Sequence, residues 1–322
     1  MIYKVIASVI IDMLFKRPGE RKLRKLNKKF LAGLEKEGSH DVAEAFRHAD
    51  GLIDACSPEE ICIDSFDGTK LYGRYFEADP KSDLTFILLH GYYGSGPKNF
   101  ILQFDMLRAT GANILMVDQR AHGKSEGKFI TFGVKERCDV AEWVKLLLSR
   151  NEKTKFILYG VSMGASTVLA AAALPVVKDS LCGIIADCGF TSPADEFKHL
   201  AVIHGKSAPQ KFIDEASKVV KQKADFETNE FTTLDSVSAM TVPALFVHGK
   251  KDKFVPSDFT VRNYEACTSP YKRLLLVDNA YHAGSFYHDT ERYTAEIREL
   301  INEATKTLSA AAPAGTPLGQ GS

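Results

Sequence analysis

Paired cysteines are the first thing this sequence lacks. Its six, Cys56, Cys62, Cys138, Cys182, Cys188 and Cys267, are scattered, with no CxxC and no Cys/His cluster at zinc spacing. That pattern argues against a disulfide framework or a metal centre. Thiols set in apolar runs act as small hydrophobes, as expected in a reducing compartment. An excess of one charge is lacking too: 41 basic residues face 41 acidic ones, so no global field favours nucleic acid as a partner. Nor is there an apolar run of the roughly 20 residues that span a bilayer. The nearest, "MIYKVIASVIIDMLFKRPG", is short and broken by Asp12, and it has no A-x-A cleavage site of a secretory signal. The expected location is cytoplasmic. Internal repeats are absent as well.

The composition is ordinary for a globular chain of 322 residues, 45% hydrophobic and 25% charged, enough for one large domain or two small ones. Residues 1–58 read as a charged helical extension without strand signals. Basic residues gather there, at Lys16, Arg17, Arg21, Lys22, Arg24, Lys25, Lys28 and Lys29. Residues 1–30 are open to three readings: an amphipathic helix packed on its own domain, an interfacial helix that meets a membrane surface or a partner, self-association included, or an uncleaved anchor.

From residue 59 the pattern changes. "ICIDSFDGTKLYGRYFE" (61–77) reads as a hairpin around Asp67-Gly68, a dipeptide favoured where both turn residues need positive φ. Strand-like runs follow at 84–90, 113–119, 155–161, 181–189, 244–249 and 273–278, alternating with helical stretches near 98–110, 135–150, 163–174 and 289–308. Such alternation predicts an α/β fold, with a mostly parallel central sheet of about eight strands and helices on both faces. The core domain is expected over 59–308. One interval, 190–241, has no legible strand, and an insertion this long after the sixth strand is expected to be a lid or cap. Its Phe190, Phe197, Phe212, Phe226, Phe231 and Met240 read either as an apolar substrate pocket or as the lid's own core. The tail "SAAAPAGTPLGQGS" (309–322) reads as disordered.

The chemistry is carried by "LYGVSMGAS" (158–166). Ser162 sits between an apolar strand and a helix, flanked by Gly160 and Gly164, whose missing side chains permit a sharp strand-to-helix turn. This G-x-S-x-G arrangement exposes a hydroxyl at the carboxyl end of a sheet. A serine needs a base to take its proton. His282 follows a late strand, and His288 is its neighbour at the start of the last helix. The histidine needs a carboxylate to set its tautomer. Asp252, after the strand 244–249, is the candidate, and Asp187 is the competitor. The order Ser162, Asp252, His282 favours Asp252. Two backbone donors should hold an oxyanion: the N–H of Met163 and that of Tyr92, with Tyr93 the alternative. His90 reads as a structural hydrogen-bonder. Tyr93, Phe190 and Met240 are the expected substrate-binding residues.

These residues resemble the α/β-hydrolase superfamily over roughly 60–306. Four ordered motifs carry the likeness: His90-Gly91-Tyr92, the loop "DQRAHGKSEG" (118–127), Gly160–Gly164, and "HGKKDKFVP" followed by His282. "GVSMGAS" with "DCGFTSPADEF" is similar to the bacterial esterase and serine-aminopeptidase-like group. The resemblance implies hydrolysis of esters, thioesters or sometimes amides without a cofactor or metal. A serine in the elbow separates the chain from dehalogenases, and the lack of an HGGG loop separates it from the hormone-sensitive-lipase branch. The loop from Asp118 to Ser125 is a recurrent structural turn in such proteins, with no chemistry assigned. The expected activity is carboxylesterase action on short to medium acyl or aryl esters, with a small-molecule ester as partner. Thioesterase, lysophospholipase-like and aminopeptidase-like action are alternatives, and a non-catalytic ligand receptor is the rival from another class.

Overall fold

The computed structural model describes residues 2–78, 81–203 and 210–311. Eight strands, β1 (Glu59–Asp64), β2 (Lys70–Phe76), β3 (Leu84–Leu89), β4 (Asn113–Asp118), β5 (Lys155–Val161), β6 (Leu181–Asp187), β7 (Ala244–Gly249) and β8 (Lys272–Val277), form one sheet. Its order is β1-β2-β4-β3-β5-β6-β7-β8. Only the β1–β2 and β2–β4 pairings are antiparallel; every pairing from β4 to β8 is parallel. Strands β4, β6 and β7 are buried along their whole length. That explains their continuous apolar runs, since helices cover both faces of a parallel sheet.

The helices are α1 (Ile2–Phe15), α2 (Glu20–Lys36), α3 (His40–Asp54), α4 (Gly96–Arg108), α5 (Glu136–Arg150), α6 (Met163–Ala171), α7 (Pro175–Lys178), α8 (Pro193–Ile203), α9 (Gln210–Ala224), α10 (Thr233–Val237), α11 (Ser257–Ala266), α12 (Ser285–His288) and α13 (Thr290–Ala311). Among its described residues, the insertion 190–241 supplies α8, α9 and α10. Helix α13 buries Tyr293, Ile297, Leu300 and Ala304 against the sheet. It continues through 309–311, residues that the composition had placed in the tail; 312–322 lie outside the described residues.

The hairpin turn corrects one expectation. Only Gly68 has a positive φ, +78°. The turn is longer than a two-residue one, closed by Ser65 N–H to Thr69 O at 2.8 Å and by Gly68 N–H to Ser65 O at 2.9 Å. Asp67 is therefore free to bond outside the turn, and its carboxylate accepts from Arg120 Nη1 at 2.9 Å.

Arg120 explains the 118–127 loop. Its buried guanidinium grips Asp139 of α5 with Nε at 2.7 Å and Nη2 at 2.5 Å, tying the loop to α5 and the hairpin turn at once. Burial lifts the Asp139 carboxyl to about 6 against the pull of Arg120. Arg120→Ala removes the counter-charge of that buried carboxylate and leaves it the Ser65 hydroxyl, and a broken buried pair costs about 3–5 kcal/mol. Urea unfolding should show a loss of that size; a loss under about 1 kcal/mol would refute this role.

Helix α1 is amphipathic and docked. Ala7, Ile11 and Phe15 are buried at spacings of four. Phe15 meets Phe132, Phe197 and Phe226 at ring-centroid distances of 5.2, 5.1 and 5.6 Å. Lys223 of α9 pairs with Asp12 at 2.7 Å. The chain beyond α1 is held by Arg17, whose guanidinium donates to Ser125 O at 2.5 Å and Gly123 O at 2.6 Å. The opposite face of α1 leaves Val5, Val9 and Met13 at 59%, 60% and 57% exposure.

Candidate active site

Ser162 ends β5 and begins α6 with φ 57° and ψ −120°, a strained backbone for a residue with a Cβ. The turn needs its glycines. A Cβ on Gly160 would lie 2.2 Å from Gly164 O, and one on Gly164 would lie 2.1 Å from Leu89 O. The strain is held from the next strand, where Asp187 O accepts Ser162 N–H at 2.7 Å.

Two loops meet over this serine. Lys250 N–H donates to Val277 O and Lys251 N–H to Ala280 O, both at 2.9 Å. These bonds zip the segment after β7 to the one after β8 and set Asp252 beside His282. His282 Nδ1 lies 2.6 Å from Asp252 Oδ2, and its Nε2 lies 2.8 Å from Ser162 Oγ. With a carboxylate at Nδ1, the proton sits there, and Nε2 is left to accept the serine proton. The competitors are engaged elsewhere. Asp187 accepts from Ser285 Oγ at 3.3 Å and Tyr293 Oη at 3.1 Å, and burial raises its carboxyl to about 6. The His288 ring packs against Tyr287.

Asp252 is fully committed. Its Oδ1 accepts Phe254 N–H at 2.9 Å and Val255 N–H at 3.0 Å, while Oδ2 also faces His248 Nε2 at 3.1 Å. Burial would raise this carboxyl, but hydrogen bonds from His248 and His282 outweigh it and hold Asp252 well below the usual carboxylate range. It stays ionised at neutral pH. His248 was not singled out from sequence. Its Nε2 faces two acceptors, Asp252 Oδ2 and Val255 O, and its Nδ1 lies 2.6 Å from Thr260 Oγ1, so the Nε2–H tautomer props the carboxylate. The only clue was its place four residues before Asp252 at the end of an apolar strand. Cys188 joins Asp252 and His282 as a third potential metal ligand within 4.8 Å. Burial holds the Cys188 thiol well above its ordinary value, and Asp252's oxygens are taken, so this trio does not suit a metal.

The loop after β3 approaches the same serine. A Cβ on Gly91 would lie 3.1 Å from Ser162 Cβ, so only glycine lets this backbone close in. His90, buried and driven toward its neutral form by burial, accepts Gln119 N–H at Nε2 at 3.1 Å and thus ties the loop to the end of β4. Tyr93 N–H donates to His122 Nε2 at 3.2 Å, which removes Tyr93 as an oxyanion donor. No hydrogen bond from the N–H of Tyr92 or of Met163 occurs among the described residues.

A small cavity of about 70 Å³ opens beside Ser162, lined by Leu14, Tyr92, Met163, Phe190, Glu196 and Phe197 among others. Two expected substrate contacts are corrected. Met240 is 5% exposed and packs in the sheet core with Val237 and Ala244, because α10 descends from the insertion to the sheet. Tyr93 stacks on Tyr92 at 3.8 Å and turns its hydroxyl to α1, 3.1 Å from Met13 O. Phe190 is in the lining as expected. The insertion's phenylalanines divide: Phe190 and Phe197 face the cavity, while Phe212, Phe226 and Phe231 belong to the core shared with α1. Leu14 and Glu196 were not foreseen. Leu14 comes from α1, whose docking no local pattern reveals, and Glu196 sits in a helix turn that reads as solvated.

Comparison with known proteins supports the fold. The family model described as alpha/beta hydrolase fold matches residues 85–212. The chain is 27% identical over 269 residues to an uncharacterized protein, YqkD, of Bacillus subtilis (strain 168), covering 83% of this chain and 85% of YqkD. Among solved structures, the esterase Pf2001 of Pyrococcus furiosus aligns with TM-score 0.61 and 25% identity, covering 77% of this chain and 94% of that one. Est1E of Butyrivibrio proteoclasticus, solved with ferulic acid bound, aligns with TM-score 0.60 and 21% identity over 76% of this chain and 99% of its own.

Proposed function

We propose that this chain, which has the alpha/beta hydrolase fold, belongs to the α/β-hydrolase superfamily and is a serine hydrolase that cleaves carboxylic esters through an acyl-enzyme. One observation carries the reading: Ser162 Oγ, His282 Nε2 and Nδ1, and Asp252 Oδ2 form a continuous relay at 2.8 and 2.6 Å beside an apolar cavity. In this mechanism His282 takes the Ser162 proton as Oγ attacks the ester carbonyl. The N–H groups of Tyr92 and Met163 receive the oxyanion. His282 then protonates the leaving alcohol, and in the second half it activates the water that frees the acid. Asp252 remains ionised and holds the imidazolium. Helices α8 and α9 act as the lid. The test is a series of p-nitrophenyl esters from acetate to palmitate. A cavity of about 70 Å³ favours the short acyl chains, and no turnover of any member would overturn the esterase reading.

A second reading, a lipid-ester substrate at a membrane surface, draws support from α1. Its exposed Val5, Val9 and Met13 stand beside a segment in which nine lysines and arginines face two acids over residues 1–30, the make-up of a helix lying on anionic lipid. The same α1 supplies Leu14 to the cavity, so lifting it would widen the entrance. The double variant Val9→Asp, Met13→Asp should lose co-sedimentation with phosphatidylserine vesicles while keeping soluble-ester turnover. Equal sedimentation of variant and wild type, or none by either, would dismiss the surface.

A further inference from the structure

Glu196 is the one feature of the cavity that an apolar acyl pocket does not call for. It lies in the first turn of α8, is 2% exposed and lines the cavity beside Ser162. Both carboxyl oxygens are buried without a hydrogen-bond partner among the described residues. An unpaired buried polar group is costly, and natural structures rarely leave one without a use. Leu, Met or Gln would fill the same space in α8 at less cost. The surroundings also set the form of the group. Phe190, Phe197 and Phe254 offer no counter-charge, and burial, reinforced by the negative charge of Asp252, lifts the carboxyl to about 8. It is thus mostly neutral near pH 7, although a helix N-terminus favours the anion. A neutral carboxyl presents one O–H donor and one carbonyl acceptor side by side.

We propose that Glu196 is the polar anchor of the substrate cavity, and that the ester cleaved at Ser162 carries a hydroxyl on the portion seated there. The inference rests on the esterase reading and narrows it to hydroxylated esters. A hydroxyl matches a neutral carboxyl in both directions, donating to its carbonyl and accepting from its O–H. An ammonium is the poorer match: it would force the carboxyl to ionise beside Asp252 and leave further N–H donors facing phenyl rings. The cavity is also small. A volume of about 70 Å³ suits a short hydroxylated chain.

The experiment compares kcat/KM for three p-nitrophenyl esters, butyrate, β-hydroxybutyrate and β-aminobutyrate, in wild type, Glu196→Gln and Glu196→Leu. Thermal melts and labelling of Ser162 by a fluorophosphonate run beside it. Wild type should prefer the hydroxy ester over butyrate by about tenfold, the value of one buried hydrogen bond. Glu196→Gln keeps a donor and an acceptor and should retain most of that preference. Glu196→Leu should lose it, through a rise in KM for the hydroxy ester. The Leu variant should also melt higher, since an unpaired buried carboxyl is gone; a side chain kept only for structure would melt lower. Equal use of butyrate and hydroxybutyrate by wild type overturns this inference and leaves the esterase reading standing. Preference for the amino ester overturns it in favour of an ion pair. Failure of wild type to cleave any ester or to take the label brings down the esterase reading, and this inference with it.

Discussion

On the proposed mechanism Ser162→Ala should lose ester hydrolysis by roughly a millionfold in kcat, since a nucleophile whose base and carboxylate act as one unit is not replaced by its neighbours. What survives is the contribution of the Tyr92 and Met163 N–H groups and of substrate binding. The variant should fold as wild type does. Among the described residues Ser162 Oγ bonds only to His282 Nε2, and alanine meets the φ of 57° with the same Cβ strain as serine. The measurement is initial rates on p-nitrophenyl acetate with melting curves alongside. A folded variant that keeps more than about a hundredth of wild-type kcat would remove Ser162 as nucleophile.

Asp252→Asn should cost on the order of 10⁴-fold in kcat, and the geometry gives a reason beyond charge. Two backbone N–H groups, those of Phe254 and Val255, point at Oδ1, so the asparagine oxygen must take that place. Its NH₂ then falls where Oδ2 was, facing His282 Nδ1. The imidazole must accept there and carry its proton on Nε2, aimed at Ser162 in the wrong sense. Stability shifts with the same change. The Asp252 carboxyl is held below its unfolded value near 3.9, so it adds stability above that pH and loses it as pH falls toward the folded value. The gap in unfolding free energy between wild type and Asp252→Asn should be full at pH 7 and narrow below about pH 4. A gap independent of pH, or kcat within tenfold of wild type, would contradict this account.

The fold was legible because its signals are local. A strand buried on both faces must be apolar along its length, and β4, β6 and β7 are read directly from that. The elbow needs glycine where backbones come within about 2 Å of a Cβ position, so Gly160 and Gly164 mark the turn whatever surrounds it. Strand order within the motif then points to Asp252 and His282. The hairpin turn was misread because a two-residue pattern does not show that Arg120 claims Asp67.

Sequence alone therefore determined the sheet, the elbow and the order of the three polar residues, because backbone sterics and burial of whole strands leave their mark within a few neighbouring positions. Tertiary structure decided the rest. It sent Met240 into the core and turned Tyr93 toward α1, brought Leu14 to the cavity from the far end of the chain, and left Glu196 without a hydrogen-bond partner among the described residues. Each of those outcomes depends on which helix covers which, and a buried carboxyl and a solvated one are the same letter until the helices have packed.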